Sequence, residues 1–135
     1  MASPNRARLR VYDHVPGARR SAGADLYLAS DRITARELIR QRVETEVAAY
    51  NTGPATIFAG LIRPTQSERT LNGYRLERRR ALDAAAQVEV ALAQFDKRGF
   101  ILLFDDRQVE SLDEVLTLTG DNTTVFLRLV PLVGG

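Results

Sequence analysis

The strongest structural signal in the sequence is an amphipathic helix, predicted over residues 34–50, with strand-like segments on either side. Thr34 stands three residues before Glu37, the spacing of a capping box in which each side chain satisfies a free backbone N–H at the helix start. The apolar residues that follow recur at helical spacing and define one face: Leu38, Ile39, Val43, Val47 and Tyr50. Asn51-Thr52-Gly53-Pro54 is typical of a helix end.

Before this helix, residues 6–15 and 24–29 have the pattern of half-buried strands, and Pro16-Gly17 between them is a turn signal. They predict a hairpin. After the helix, residues 51–80 lack a sustained period. So long a loop is uncommon in a compact domain, so we expect this segment to be partly ordered or a functional insertion.

A second helix is predicted over residues 82–97, with Gly99 as its C-terminal stop. Its predicted apolar stripe contains Ala85, Val88, Leu92 and Phe95. Short strands then resume, separated by Asp105-Asp106 and Gly120-Asp121-Asn122 turns, at residues 100–104, 107–109, 115–118 and 123–130. This order predicts an α+β fold in which a helix packs on one face of a mixed sheet.

Composition excludes several classes of site. The 135 residues contain no cysteine and one histidine, so disulfide scaffolds, thiolate metal sites and multi-histidine metal sites are excluded. Asp13 beside His14 favours a polar pair at a strand end over an acid–base pair. The acidic residues near 105–114 lack the ligand spacing of a calcium loop. No apolar run is long enough to span a bilayer and no signal peptide is recognised, so we expect a cytoplasmic protein.

Basic charge is concentrated between Glu68 and Arg80, where five arginines accompany two glutamates. This stretch has two interpretations: a nucleic-acid or acidic-partner surface, or a solvated loop leading into the second helix. Only Tyr74 is interleaved with the arginines, and single-strand binding usually needs several aromatic platforms. We therefore favour the solvated loop and expect no nucleic-acid partner.

The chain ends Leu127-Arg-Leu-Val-Pro-Leu-Val-Gly-Gly135, a predicted strand that runs into two glycines. Pro131 stops strand pairing, so residues 131–135 are expected to form a flexible tail. A glycine carboxylate can be activated as an acyl-adenylate, and the absence of Cβ lets it pass a narrow channel. Taken alone, the diglycine favours a frayed terminus, since small residues are common at chain ends.

Together with the order of elements, this terminus resembles the β-grasp ubiquitin-like superfamily. More narrowly, the chain resembles ubiquitin-like proteins of bacterial operons that also encode an activating enzyme, a conjugating enzyme and a deconjugating peptidase. Four stretches carry the resemblance: 11–20, 33–40, 105–110 and 127–135. It implies a single β-grasp domain over residues 1–135, with an inserted loop and second helix at about 51–99 that have no ubiquitin counterpart.

The resemblance implies a protein modifier that is not itself an enzyme and binds no cofactor. Gly135 would carry the activated carboxylate, which the partner enzyme adenylates with ATP and transfers as a thioester before an isopeptide bond forms on a target. Gly134, Leu132 and Val133 would contact the activating enzyme. Lys97, the single lysine, is a possible acceptor for self-conjugation.

Two other functions remain open. The apolar tail with Pro131 is also similar to sulfur-carrier β-grasp proteins, which bear a C-terminal thiocarboxylate for cofactor or tRNA thiolation. The inserted residues 51–99 argue against a bare carrier. The third alternative is a non-covalent β-grasp interaction module in which the tail has no role.

Overall fold

A computed structural model of the chain describes residues 7–129. The predicted roles of Leu132, Val133, Gly134 and Gly135 concern residues outside this described part of the chain. The helices are α1 (Ala35–Thr52) and α2 (Ala84–Asp96). The strands are β1 (Ala7–His14), β2 (Ser21–Ala22), β3 (Leu26–Leu28), β4 (Arg32–Thr34), β5 (Ile57–Phe58), β6 (Ser67–Thr70), β7 (Gly73–Leu76), β8 (Phe100–Phe104), β9 (Arg107–Val109), β10 (Val115–Thr117) and β11 (Asn122–Arg128). The α+β composition, with a mixed sheet and two helices, is as predicted.

The chain divides into two compact units. The first contains residues up to Glu37 and from Gln94 onward, and the second contains Leu38–Ala93. Both helices cross a boundary between units, since α1 begins in the first and α2 ends there. The prediction of one β-grasp domain with an insertion at about 51–99 stays a prediction.

The first unit is organised around a mixed sheet in the order β2-β1-β11-β8-β9, with β3 also paired to β1. The central strands β1 and β11 are parallel, whereas every other pairing in this sheet is antiparallel among the residues that the model describes. The predicted hairpin over residues 6–29 is therefore present, with its return strand divided into β2 and β3. Strands β8 and β9 have the predicted bounds.

One face of this sheet carries the buried core of the first unit. Strand register places eleven buried side chains on that face: Leu9, Val11, Leu26, Leu28, Phe100, Leu102, Phe104, Val109, Asn122, Thr124 and Phe126. Because side chains alternate along a strand, this places Leu127 and Arg128 on opposite faces. The buried hydroxyl of Thr124 donates to the carbonyl of Leu103 at 2.8 Å, which satisfies its polar atom.

Helix α1 begins and ends where the sequence predicts. The N–H of Glu37 donates to Oγ1 of Thr34 at 3.2 Å, which is the cap expected at the helix start. Two further N–H groups of the first turn donate to the carbonyls of Leu112 and Glu114, within the first unit. The predicted apolar stripe from Leu38 to Tyr50 is buried throughout.

In the second unit, residues 51–80 contain three short strands, which form an antiparallel sheet in the order β5-β7-β6. The segment is therefore partly ordered, as one of the two expectations had it, and its role as an insertion stays a prediction. Arginines within it bind backbone carbonyls. Arg79 donates to the carbonyls of Tyr50 and Gly53 at 3.1 and 2.7 Å and stacks over the Tyr50 ring at 4.3 Å, while Arg80 donates to Thr65 at 2.6 Å. The arginine-rich stretch thus stabilises the end of α1 through the hydrogen bonds of Arg79.

Helix α2 begins two residues later than predicted, after an N-cap in which Asp83 Oδ1 accepts from the N–H of Ala86 at 3.2 Å. The predicted stripe is partly wrong. Val88 and Phe95 are buried as expected, but Ala85 is exposed and Ala91 is fully buried in its place. Over residues 7–129, neither helix combines the length and apolar character needed to cross a membrane.

Candidate functional site at the end of the last strand

The described part of the tail is the last strand and its exit from the sheet. β11 consists largely of β-branched and apolar residues and is paired on both sides, with β1 and β8. Its pairing with β1 ends at Leu127 opposite His14, and its pairing with β8 ends at Arg128 opposite Phe100. The strand therefore leaves the sheet at the same end of the sheet as the C-terminal end of β1.

One further backbone contact follows this pairing. The N–H of Leu129 donates to the carbonyl of Gly99 at 3.4 Å. The side chain of Leu129 is nevertheless 41% exposed, which is unusual for a leucine next to a central strand. At Leu129, the last described residue, the backbone is thus hydrogen-bonded at the end of the sheet while the side chain faces solvent.

On one side of the exit, the turn after β1 is closed by two hydrogen bonds. The N–H of Ala18 donates to the carbonyl of Val15 at 3.0 Å, and the ring Nε2 of His14 lies 3.1 Å from the carbonyl of Ala18. A carbonyl can only accept, so Nε2 carries the proton. Gly17 adopts φ +85°, the conformation that its lack of a side chain permits.

The interpretation of Asp13 and His14 as a polar pair at a strand end fits this geometry. The carboxylate of Asp13 pairs with Arg128 at 3.6 Å, while His14 is directed to Ala18. Because the two side chains have different partners, the arrangement does not resemble a carboxylate that orients a catalytic imidazole.

On the other side of the exit lies the end of α2, where Lys97 is exposed. The N–H of Arg98 donates to the carbonyl of Phe95 at 3.0 Å, and the N–H of Gly99 donates to that of Gln94 at 2.7 Å. This is the hydrogen-bond pattern of a Schellman motif. The left-handed position is occupied by Arg98, with φ +60°, and Gly99 follows it.

The surroundings of the exit are basic. Arg128 lies on the strand itself, Lys97 and Arg98 precede β8, and Arg19 and Arg20 precede β2 at the same edge. The acidic side chains at this edge are Asp13, Asp96 and Glu110. Towards the other end of β1, the hydrogen bond and charge of Asp25 raise the pKa of Arg8 above its usual value.

Three of the acidic residues near 105–114 have separate protein partners. Asp105 accepts from Asn122 Nδ2 and from the N–H of Thr123, at 2.6 and 2.9 Å. Asp113 pairs with Arg36 at 3.3 Å, and Glu114 pairs with Arg107 at 2.6 Å. No three acidic or histidine side chains within residues 7–129 are grouped so that they could hold a metal ion.

The roles assigned to tail residues 131–135 stay predictions. Among the described residues, sequence reasoning singled out Lys97 but missed its position beside the end of β11, because that position depends on strand register. The available sequence signal for this position was Gly99, which was interpreted only as the end of the second helix. Comparison with protein-family models, curated proteins and solved structures finds no match for this chain.

Proposed function

We propose that the chain is a ubiquitin-like protein modifier with a β-grasp fold. An activating enzyme uses ATP to adenylate the carboxyl group of Gly135, and the acyl group then passes to a cysteine of the activating enzyme and to a conjugating enzyme as a thioester. Attack by an amine of a target protein forms an isopeptide bond. A deconjugating peptidase reverses the attachment. The chain supplies the acyl group, and its sequence has no cysteine to form a thioester of its own.

The observation that carries this proposal is the parallel pairing of β1 with β11. This pairing places the last strand in the middle of the sheet. The strand ends next to the C-terminal end of β1, where Leu129 is exposed. The order of hairpin, helix, strand pair and last strand agrees with the β-grasp resemblance. A carboxyl group that enters another enzyme's active site needs such an exit.

The tail sequence also supports a transferable carboxyl group. Gly134 and Gly135 have no Cβ, so a narrow active-site channel can enclose them. Leu132 and Val133 offer apolar surface for recognition by the activating enzyme. Pro131 has no N–H to continue the sheet ladder.

The proposal is tested by incubating the full chain with the activating and conjugating enzymes of its own host, ATP and a host lysate. Trypsin cleaves after Arg128, so a modified lysine retains residues 129–135 as a mass tag. Hydroxylamine cleaves an ester linkage and leaves an amide, which separates hydroxyl from amine targets. We expect tagged target peptides that resist hydroxylamine.

The matched controls are a chain without Gly134 and Gly135 and a chain shortened by two residues at its N-terminus. Adducts are expected from the second and not from the first. If no covalent adduct forms, or if adducts persist without Gly135, the chain is not a modifier of this kind.

The sulfur-carrier alternative uses the same carboxyl group, as a thiocarboxylate. The Pro131-containing apolar tail favours it, whereas the folded second unit is more than a bare carrier needs. Intact mass separates the two functions: protein purified from its host would carry one sulfur in place of one oxygen. A non-covalent module would keep all its partners after loss of the diglycine.

A further inference from the structure

Strand β8 is longer than its partner β9, so the first part of β8 has no neighbouring strand on the β9 side. Pairing between the two strands ends at Leu102 opposite Val109. On its other side, β8 stays paired with β11 as far as Phe100 opposite Arg128. Within residues 7–129, no strand therefore lies beside Phe100 on the side away from β11.

Two hydrogen bonds show which backbone groups of β8 face that side. The N–H of Leu129 donates to the carbonyl of Gly99 at 3.4 Å, and the N–H of Asp105 donates to the carbonyl of Thr123 at 2.9 Å. In an antiparallel pair every second residue bonds to the same neighbour, so the odd-numbered residues of this stretch bond to β11. The N–H and C=O of Phe100 therefore point away from β11, and neither has a hydrogen-bond partner within the part of the chain that the structure describes.

A groove of about 110 Å³ adjoins this open edge, and the residues that line it all belong to the first unit. Its apolar wall consists of three buried side chains, those of Phe95, Phe100 and Val109. An apolar cavity of about 150 Å³ holds a benzene molecule, so the groove has room for one smaller aliphatic side chain. A residue paired opposite Phe100 would direct its side chain to the same face of the sheet as the Phe100 ring.

Three charged side chains also line the groove: Asp96, Arg98 and Glu110. All three are exposed, and none of them forms an ion pair with another residue between 7 and 129. Two carboxylates and one guanidinium leave a negative balance. The C-terminal end of α2 adds the partial negative charge of the helix dipole at Asp96. The rim of the groove therefore favours a cationic ligand.

We propose that this edge binds an extended segment of a partner protein in which one small apolar residue is flanked by lysine or arginine. The backbone of the apolar residue pairs with the N–H and C=O of Phe100, as an added strand does at an open sheet edge. Its side chain enters the groove against Phe95 and Val109, and the flanking cations lie near Asp96 and Glu110. The site needs no activated carboxyl group, so the inference goes beyond the proposed modifier function.

An edge of one residue supplies few contacts, so binding through it alone is weak. Two backbone hydrogen bonds, one small apolar side chain and exposed ion pairs each contribute little. We expect a Kd on the order of 1 mM for an isolated segment. Such an edge adds specificity to a larger contact with the same partner, because linked sites strengthen one another.

The experiment titrates the isotopically labelled full chain with the capped peptide acetyl-Gly-Lys-Val-Lys-Gly-amide and follows backbone amides by NMR. In the free chain, the Phe100 amide should exchange its hydrogen rapidly, because no hydrogen bond protects it. With peptide at about ten times Kd, exchange at Phe100 should slow by about tenfold, since only the unbound fraction exchanges. The amides of Ile101 and Glu110 should shift, and those of β2 at the opposite edge of the sheet should not.

Two altered peptides separate the contributions to binding. A peptide whose valine is N-methylated lacks the N–H that the Phe100 carbonyl accepts, and it should bind at least about fivefold more weakly. A peptide with glutamate in place of both lysines should be weakened to a similar extent.

Two variants of the chain test the rim. Asp96→Asn/Glu110→Gln should bind the lysine peptide about fivefold more weakly. The matched control is Asp106→Asn, which changes an exposed carboxylate at the opposite end of β9 and should leave binding unchanged. The amide spectrum of each variant checks that it is folded.

Four results would overturn the inference. The first is a Phe100 amide that is already protected in the free chain, and the second is protection that rises with protein concentration, which would assign the edge to a second copy of the chain. The third is equal binding of the N-methylated or the glutamate peptide. The fourth is no change at Phe100 with the lysine peptide present. None of them bears on adduct formation with targets, which is tested separately.

Discussion

Arg42 and Glu46 form an ion pair one turn apart on α1, with Nη2 and Oε2 separated by 3.0 Å and only 4% and 15% of their side chains exposed. The other carboxylate oxygen of Glu46 accepts from the backbone N–H of Leu61 at 3.1 Å. A largely buried pair of charges therefore connects the middle of the helix to the segment that leads into β6. Charges in such a site are tolerated because each has a close partner.

Removal of one member of this pair should cost far more than removal of both. Arg42→Met leaves a carboxylate, and Glu46→Gln leaves a guanidinium, in a site with little water. Each single change is expected to lower the free energy of unfolding by about 3 kcal/mol. In the double variant no charge is left, and the glutamine still accepts from Leu61, so the loss should be smaller than that of either single variant. Urea unfolding of the four proteins measures this difference, and additive losses would contradict it.

The prediction of α1 succeeded because its signals are local. Thr34, Glu37 and the apolar stripe all lie within about five turns of one helix, and each is visible in the sequence. For α2, stripes through Ala85 and through Ala91 fit the helical period almost equally well. The choice between them depends on the rotation of α2 about its own axis, which determines the buried face and which the sequence does not specify.

The small sheet of the second unit was missed for a different physical reason. Strands β6 and β7 contain Ser67 and Leu76 as their buried residues, and the remaining positions are exposed or half-buried and mostly polar. Without apolar alternation, the segment has no strand signature. Likewise, the contact between Gly99 and Leu129 joins residues 30 positions apart and follows from the register of β8 and β11, so the surroundings of Leu129 could not be predicted from the sequence.

Asn51 connects the end of α1 to the start of the segment before α2. Its Nδ2 donates to the carbonyl of Leu82 at 2.9 Å, and its Oδ1 accepts from the N–H of Leu82 at 2.8 Å. Asn51→Ala removes both bonds, and partial access of water should limit the loss to about 1–2 kcal/mol of unfolding free energy. Asn72→Ala, at the exposed turn between β6 and β7, is the matched control and should change stability by less than about 0.5 kcal/mol. Equal losses in the two variants would argue against a role for the paired bonds.

Adjacent arginines allow a direct test of what the basic stretch does. Arg78 and Arg79 are both exposed, and Arg79 binds two carbonyls at the end of α1 and stacks on Tyr50. We expect Arg79→Met to destabilise the protein by about 1–2 kcal/mol, and Arg78→Met to stay within about 0.5 kcal/mol of the natural chain. Arg79→Lys keeps the charge but not the planar fork, so it should restore only part of the loss. Thermal unfolding compares the three, and a larger effect at Arg78 would mean that the segment is stabilised in another way.

In the turn between β8 and β9, substitutions of the neighbours Asp105 and Asp106 are expected to have opposite effects on stability. Asp105 and Asp106 both have positive φ, +48° and +66°, as a type I′ turn requires, and glycine is favoured at the second position. Asp106→Gly should therefore leave stability unchanged or raise it by up to about 1 kcal/mol. Asp105→Ala removes the acceptor for Thr123 and for the buried amide of Asn122, which is 5% exposed, and should cost about 2–3 kcal/mol. Hydrogen exchange at the Thr123 amide should accelerate in Asp105→Ala and not in Asp106→Gly; protection that is the same in both would show that the Asp105 carboxylate does not hold β11 to this turn.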